Sequence, residues 1–239
     1  MIQRFIDRLK QLPLREPSLR RPEIVSVLAH HGVEPWFLYA YDEWRSRWHV
    51  WRGLLWAIKN VEHGGNVLET GCGCGWNLFW LAANGFGSLT GLDINAAAVV
   101  AGNELAQGTG FPVRLRCDNA LDPGSLADGP FHLILALNWT YHVPEFELGR
   151  FLERYGGLLV PGGVLLLDTI EKSFNAHPNN RYLTSDWGKP EWEMRPSEYL
   201  HRFSQGEVRE IAASRGYQIE ATYSRKGTIP RSLYILRRS

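Results

Sequence analysis

The chain predicts a doubly wound α/β fold: a mostly parallel sheet with helices on both faces, finished by an antiparallel hairpin. Three observations carry this. From Asn66 onward, short apolar runs alternate with helical periods. The runs are apolar throughout rather than at every second residue, as strands are when helices cover both faces. The last two runs are joined by so few residues that only an antiparallel pair can connect them.

Taken in order, the first strand spans residues 66–69 and is followed by a glycine-rich turn and a helix over 76–83. A second strand, 88–94, leads into an alanine-rich helix at 96–106, and a third, 113–118, follows Gly110 and Pro112. The fourth, 132–138, leads to a helix near 144–155, and the fifth, 163–170, is the continuous run VLLLDTI. A helix over 204–215 begins with Ser204 and Glu207 at capping-box spacing and stops at Gly216. Strands over 218–223 and 232–237 close the count at seven. Right-handed crossovers order the parallel part. Residues 1–59 read as a helical extension of this same domain, broken at Pro13, Pro17, Pro22, Gly32 and Pro35, and the α/β domain proper occupies 60–239. Residues 171–203 are polar, proline-dotted and aromatic. They follow the fifth strand, at the edge where open α/β sheets bind ligands, and predict a lid.

Composition removes several function classes. The 239 residues carry 26 basic and 25 acidic side chains, a net charge of +1, with no electrostatic footprint for nucleic acid or an anionic membrane. Cys72, Cys74 and Cys117 offer neither a disulfide framework nor the four ligands of a structural zinc site, so no metal is expected. No apolar run approaches the ~18 residues of a membrane span. The amino terminus lacks an apolar signal core. Its Ile2, Phe5, Ile6 and Leu9 recur at helical spacing and are expected to pack on the domain rather than on a membrane surface. A cytoplasmic enzyme, monomer or homodimer, is the expectation.

The chemistry is concentrated at strand ends. Glu69-Thr70-Gly71-Cys72-Gly73-Cys74-Gly75 closes the first strand and opens a helix, whose free N–H groups point into the turn and suit an anionic group. A dinucleotide loop would need a third glycine where Trp76 stands, which counts against a nicotinamide-dependent oxidoreductase. Asp93 ends the second strand, where a carboxylate can accept both hydrogen bonds of a ribose diol; a helix cap is the bland alternative, which Asn95 supplies alone. Asp118-Asn119 ends the third strand, with a turn-forming pair as the alternative. ALNWTYHVPEF follows the fourth.

These four elements, in this order, resemble the class I S-adenosylmethionine-dependent methyltransferases, with their Rossmann-like sheet. The segment after the fourth strand is similar to the ubiquinone/menaquinone-type, small-molecule branch. The resemblance covers 60–170 well and 204–239 reasonably. It implies S-adenosyl-L-methionine as cofactor, with Gly71, Cys72, Gly73 and Gly75 lining it and Glu69 near its amino group. It places Asp93 on the ribose, Asp118 and Asn119 at the adenine and Asn138 beside the methionine end, and counts Ile94 among the cofactor-binding residues. In relatives an N-terminal helix closes over the cofactor, which assigns Tyr41 to the same site. His142 would face the acceptor as a candidate base and Tyr141 would orient it. Tyr141 stands where that branch often has a second histidine, and Phe131-His132 stands where Phe-Asp is usual, so acceptor identity does not transfer.

The acceptor is expected to be a small molecule methylated on oxygen, nitrogen or carbon, planar or anionic. The basis is the mixture of Tyr182, Trp187, Trp192, Tyr199 and Phe203 with His177, Arg181, Lys189, Arg195 and His201 in the lid. Trp44, Trp48, Trp51 and Leu55 lie at helical spacing and are expected to pack the N-terminal helices on the sheet. The rivals are an RNA or protein methyltransferase and a non-catalytic module that binds the same cofactor.

Overall fold

The computed structural model describes residues 21–33, 47–124 and 129–239. Eight strands form one sheet: β1 (Asn66–Thr70), β2 (Ser88–Asp93), β3 (Val113–Cys117), β4 (Phe131–Ala136), β5 (Leu159–Glu171), β6 (Arg202–Phe203), β7 (Tyr217–Arg225) and β8 (Arg231–Arg238). Their order is β3-β2-β1-β4-β5-β8-β7, with the two-residue β6 pairing β5 off this path. Pairing is parallel from β3 to β5 and antiparallel for β5–β8 and β7–β8. The seven expected strands form that path. The extra strand arises because the end of the lid returns beside β5. The fifth strand is longer than its apolar run because it starts before Pro161-Gly162-Gly163, where its pairing with β4 shifts register.

The described helices are α1 (Arg21–His30), α2 (Trp48–Asn60), α3 (Trp76–Ala83), α4 (Ala96–Thr109), α5 (Leu148–Gly156) and α6 (Gln205–Ser214). Adjacent strand residues face opposite ways, so each apolar strand feeds two cores. Val67, Leu133, Leu135, Val164, Leu166 and Leu233 pack with α1–α4; Leu68, Ile134, Leu165, Leu167 and Leu236 pack with α5 and α6. The switch of strand order falls between β1 and β4, which places the carboxyl ends of β1, β2, β4 and β5 around one crevice.

Local signals explain most boundaries. Ser204 and Glu207 make a reciprocal capping box at the start of α6, and Gly216 (φ 73°) follows its end. Helix α5 begins at Leu148, capped by Glu147, rather than near Pro144, because residues 142–147 are spent in turns. On α2 the face against the sheet is His49, Val50, Gly53, Leu54 and Ala57, while Trp48 and Trp51 stack on each other half-buried at 5.0 Å. Of the described members of the expected stripe, Trp48 and Trp51 flank the core and Leu55 is buried. His30 ends α1, and His31 in the following turn bonds Glu104 at 2.5 Å. Among the described residues, no helix is long and apolar enough to cross a membrane.

Candidate active site

The glycine loop is a run of left-handed backbone, with φ of 62° at Gly71, 53° at Gly73 and 81° at Gly75. Such angles are open to glycine and strained for other residues. At Gly71 space is also short, because a Cβ would lie 2.4 Å from the Trp139 ring. Trp139 in turn donates its indole N–H to Thr70 Oγ1 at 3.2 Å, locking the exit of β4 onto the exit of β1. On the other flank α4 presses so close that a Cβ on Gly102 would meet the carbonyl oxygen of Cys74 at 2.7 Å.

The loop and the second strand end are joined directly. Gly73 donates its N–H to Asp93 Oδ2 at 2.7 Å, and Asn95 donates its N–H to Oδ1 at 2.9 Å. The helix cap is supplied by Asn95, whose Oδ1 accepts from Ala98 N at 3.1 Å, so Asp93 is not needed for that task. Beside it Ile94 is 76% exposed, a large apolar side chain left in the open at a strand end. Asp118 is tied to this edge through its backbone, which donates to the Asp93 carbonyl at 3.0 Å. Its carboxylate accepts from the N–H groups of Asn119 and Gly124 at 2.7 and 3.1 Å, and Asn119 Oδ1 accepts from Leu121 at 2.9 Å. The turn-forming role of this pair is thus present in the structure.

Glu69 is 1% exposed. Its Oε1 accepts from Asn77 Nδ2 at 2.5 Å, and Asn77 Oδ1 accepts from Arg47 at 3.0 Å. Oε2 is buried without a hydrogen-bond partner among the described residues. Burial pushes the carboxyl up to about 8, against the opposing pull of Asn77 and Arg47. A buried acceptor left unsatisfied is costly, and an ammonium group beside it would satisfy both the oxygen and its charge. The donor set thus fits a ligand that is an amino acid at one end and a nucleoside at the other.

The sequence of this region decides the class. Residues 67–163, from β1 to the start of β5, match the family model of the methyltransferase domain. Residues 67–163 are a methyltransferase domain. No curated protein matches the chain. Among solved structures, it is similar to the magnesium protoporphyrin IX methyltransferase of Synechocystis PCC 6803 with bound S-adenosylmethionine: 18% identity, TM-score 0.58, 79% of this chain and 77% of that one. A S-adenosylmethionine-dependent methyltransferase of Methanosarcina mazei matches at 20% identity and TM-score 0.62, over 75% of this chain and 95% of that one. A protein of Pyrococcus horikoshii OT3 matches at 18% identity and TM-score 0.63, over 83% and 92%. At such identities these structures attest the fold.

The second half of the methyltransferase's edge is built from side chains. Past β4, Asn138 adopts φ 64° and its Oδ1 accepts from Arg231 at 2.6 Å. Tyr141 is 2% exposed, and its hydroxyl also accepts from Arg231, which lies 4.9 Å over its ring. Both contacts run to Asp168, fully buried in β5, which pairs with Arg231 and accepts from His49 Nε2 at 3.0 Å. Burial would raise the Asp168 carboxyl, but Arg231 and His49 hold it at about 2. Sequence reasoning missed Asp168, Arg231 and His49, although a charge inside VLLLDTI is itself a signal.

His142 packs its ring against Tyr141 and Tyr199, at centroid distances of 4.5 and 5.5 Å, with its edge open to solvent. Nδ1 lies 2.8 Å from the Glu198 carbonyl, which can only accept, so Nδ1 carries the proton and Nε2 the lone pair. Desolvation in this packing lowers its pKa, with the Glu198 bond opposing, so the ring is neutral near pH 7.

Residues 172–203 are organised around one carboxylate. Asp186 is buried and accepts from Arg195 Nε and Lys189 Nζ, each at 2.7 Å, bonds that hold its carboxyl well below the usual range. Trp187 stacks on His177 at 4.6 Å, whereas Trp192 is 85% exposed. Four hydrogen bonds stitch this segment to the loop after β4: His142 to Glu198 O, Leu200 N and His201 N to Tyr141 O at 2.8 and 3.4 Å, and His201 Nε2 to Val143 O at 2.9 Å. Cys72 and Cys74 are buried, and burial pushes the Cys74 thiol up to about 12, so neither is poised as a thiolate. Tyr41 lies outside the described residues, as do the N-terminal apolar stripe and Trp44.

Proposed function

We propose that the enzyme transfers a methyl group to oxygen, nitrogen or carbon of a small, planar metabolite. The observation that carries this reading is the lid over 172–203, hydrogen-bonded to the loop after β4 at Tyr141, His142 and Val143. A site roofed by the chain's own residues suits a small acceptor better than a nucleic-acid or protein strand. Net charge of +1 points the same way. Of the two acceptor characters expected, planarity has the better support. Phe174 and Tyr199 of the lid form an aromatic cluster with Tyr141 and His142 of the loop after β4, whereas Lys189 and Arg195 are occupied by Asp186, and Arg202 by Asn175 and Asn180.

In this reading Glu69 takes the cofactor's ammonium on its unsatisfied Oε2. Asp93 exchanges its bonds to Gly73 and Asn95 for the ribose hydroxyls, and Ile94 covers one face of the adenine. Asp118, Asn119 and the turn at Asn138 border the same molecule, with Cys72 and the loop glycines beneath it and Tyr41 in the N-terminal cover. S-adenosylmethionine brings a methyl group already activated by sulfonium, so the residues mainly align the acceptor and exclude water, which is worth about 7–11 kcal/mol of barrier. Where the attacking atom carries a proton, His142 Nε2 receives it, its neutral tautomer fixed by Glu198. Tyr141, its hydroxyl held by Arg231, orients the acceptor through its ring.

The test is label transfer. With methyl-labelled S-adenosylmethionine, the protein is incubated separately with a deproteinised, RNA-free metabolite extract, with total RNA and with denatured protein. Label is expected only in the metabolite extract. Label fixed in RNA or protein instead would overturn the small-molecule reading.

A further inference from the structure

We infer that Asp168 and Arg231 form a positioning brace that imposes the left-handed turn at Asn138, and through it the cofactor's methionine end and the acceptor edge. The inference rests on the cofactor placement proposed above. Four elements meet in the brace. Asp168, from the middle of β5, accepts from His49 of α2 at 3.0 Å and from the Asn138 N–H at 3.3 Å, and pairs with Arg231 from the first position of β8. Arg231 donates to Asn138 Oδ1 at 2.6 Å and to the Tyr141 hydroxyl.

Two physical points give this cluster a purpose beyond packing. A buried ion pair is a poor source of stability, because the desolvation of both charges offsets their attraction and an apolar pair of equal size does as well. The rest of this stretch of β5 is apolar, so what the pair adds is directionality. Asn138 is the one non-glycine with positive φ among the described residues. Such a residue persists only where its surroundings over-determine it. The brace grips it at both ends, through the backbone N–H and the side-chain oxygen. With Oδ1 held by Arg231 and the N–H held by Asp168, the turn is left to meet a ligand through its backbone carbonyl and Nδ2. Thr140, two residues on, donates to the Asp168 carbonyl at 3.1 Å, which extends the same control along the loop. His49, whose Nδ1 is buried without a partner among the described residues, brings the first turn of α2 under it as well.

The test uses calorimetric titration of the full chain with S-adenosylhomocysteine. Arg231→Met is expected to weaken binding at least about tenfold. Adding Asn138→Gly should restore at least half of that loss on a logarithmic scale, because glycine takes the left-handed turn without the brace. A residue that only contributed stability would not be rescued by relaxing one backbone angle elsewhere. If Arg231→Met does not melt cooperatively, Arg231→Lys replaces it. All of the arginine's contacts in the brace come from Arg231 Nη2; the lysine keeps a positive charge, but its nitrogen sits one bond nearer the backbone and falls short of Asn138 and Tyr141, so the same loss and the same glycine rescue are expected. Affinity equal to wild type in the arginine variants, or no recovery on adding glycine, overturns the brace. Failure of the wild-type protein itself to bind removes the cofactor placement instead, whatever the variants do.

Discussion

The two halves of the strand-end crevice are made of different material. On the β1–β3 side the surface is backbone: three left-handed glycines, with Asp93 and Asn95 fastening the loop through N–H groups. On the β4–β5–β8 side it is side chains drawn from positions 49, 138, 141, 168 and 231, joined by charge. A backbone surface is specified by a short local motif and tolerates little change at its glycines. A side-chain brace is assembled only once distant strands have paired, so single residues in it are exchangeable where their geometry can be restored by other means.

The sharpest way to break this contrast lies where the halves touch. Gly71→Ala puts a methyl group at positive φ and 2.4 Å from the ring of Trp139, which anchors the second half. The conformational cost alone is about 1–2 kcal/mol, and displacing the ring adds to it. Titration with S-adenosylhomocysteine should show a loss of at least about a hundredfold, equivalent to ~2.7 kcal/mol. No glycine elsewhere should rescue it, unlike the expected behaviour of the Arg231 variants.

A smaller effect separates the halves by pH. Glu69 holds its proton up to about 8 through burial, whereas Asp168 is held at about 2 by its cations. Below pH 8 the free enzyme is mostly protonated at Glu69, and a ligand ammonium beside it must displace that proton. Affinity for S-adenosylhomocysteine should therefore rise with pH, by up to about tenfold between pH 6 and 7. In Glu69→Gln that slope should vanish, because nothing there is left to ionise. A slope surviving in Glu69→Gln would assign it to another group; Asp168, ionised throughout this window, contributes none.

Legibility in the sequence divides along the same line. The sheet, its hairpin and the capping box of α6 follow from local patterns: apolar runs, helical periods, a serine with a glutamate three residues on. The glycine loop and Asp93 were legible because the motif carries its own geometry. Asp118-Asn119 pointed to a strand end without saying whether its side chains serve a ligand or, as the bonds to Gly124 and Leu121 have it, the turn itself. The brace was illegible because His49, Asp168 and Arg231 are separated by 119 and 63 residues, and no periodicity links them. Basic residues in the lid predict an anionic acceptor, yet two of them, Lys189 and Arg195, pair with the buried Asp186. Composition counts charges but not the partners that already hold them.

The central claim is that carboxylates and bare backbone at successive strand ends enclose one adenosyl amino acid, and Asp93 is its most exposed commitment. Titration of wild-type protein and Asp93→Ala with S-adenosylhomocysteine tests it directly. The account predicts binding by wild type and at least a tenfold loss in the variant, since two hydrogen bonds to a charged group go with the side chain. Equal affinity in the two proteins would contradict it.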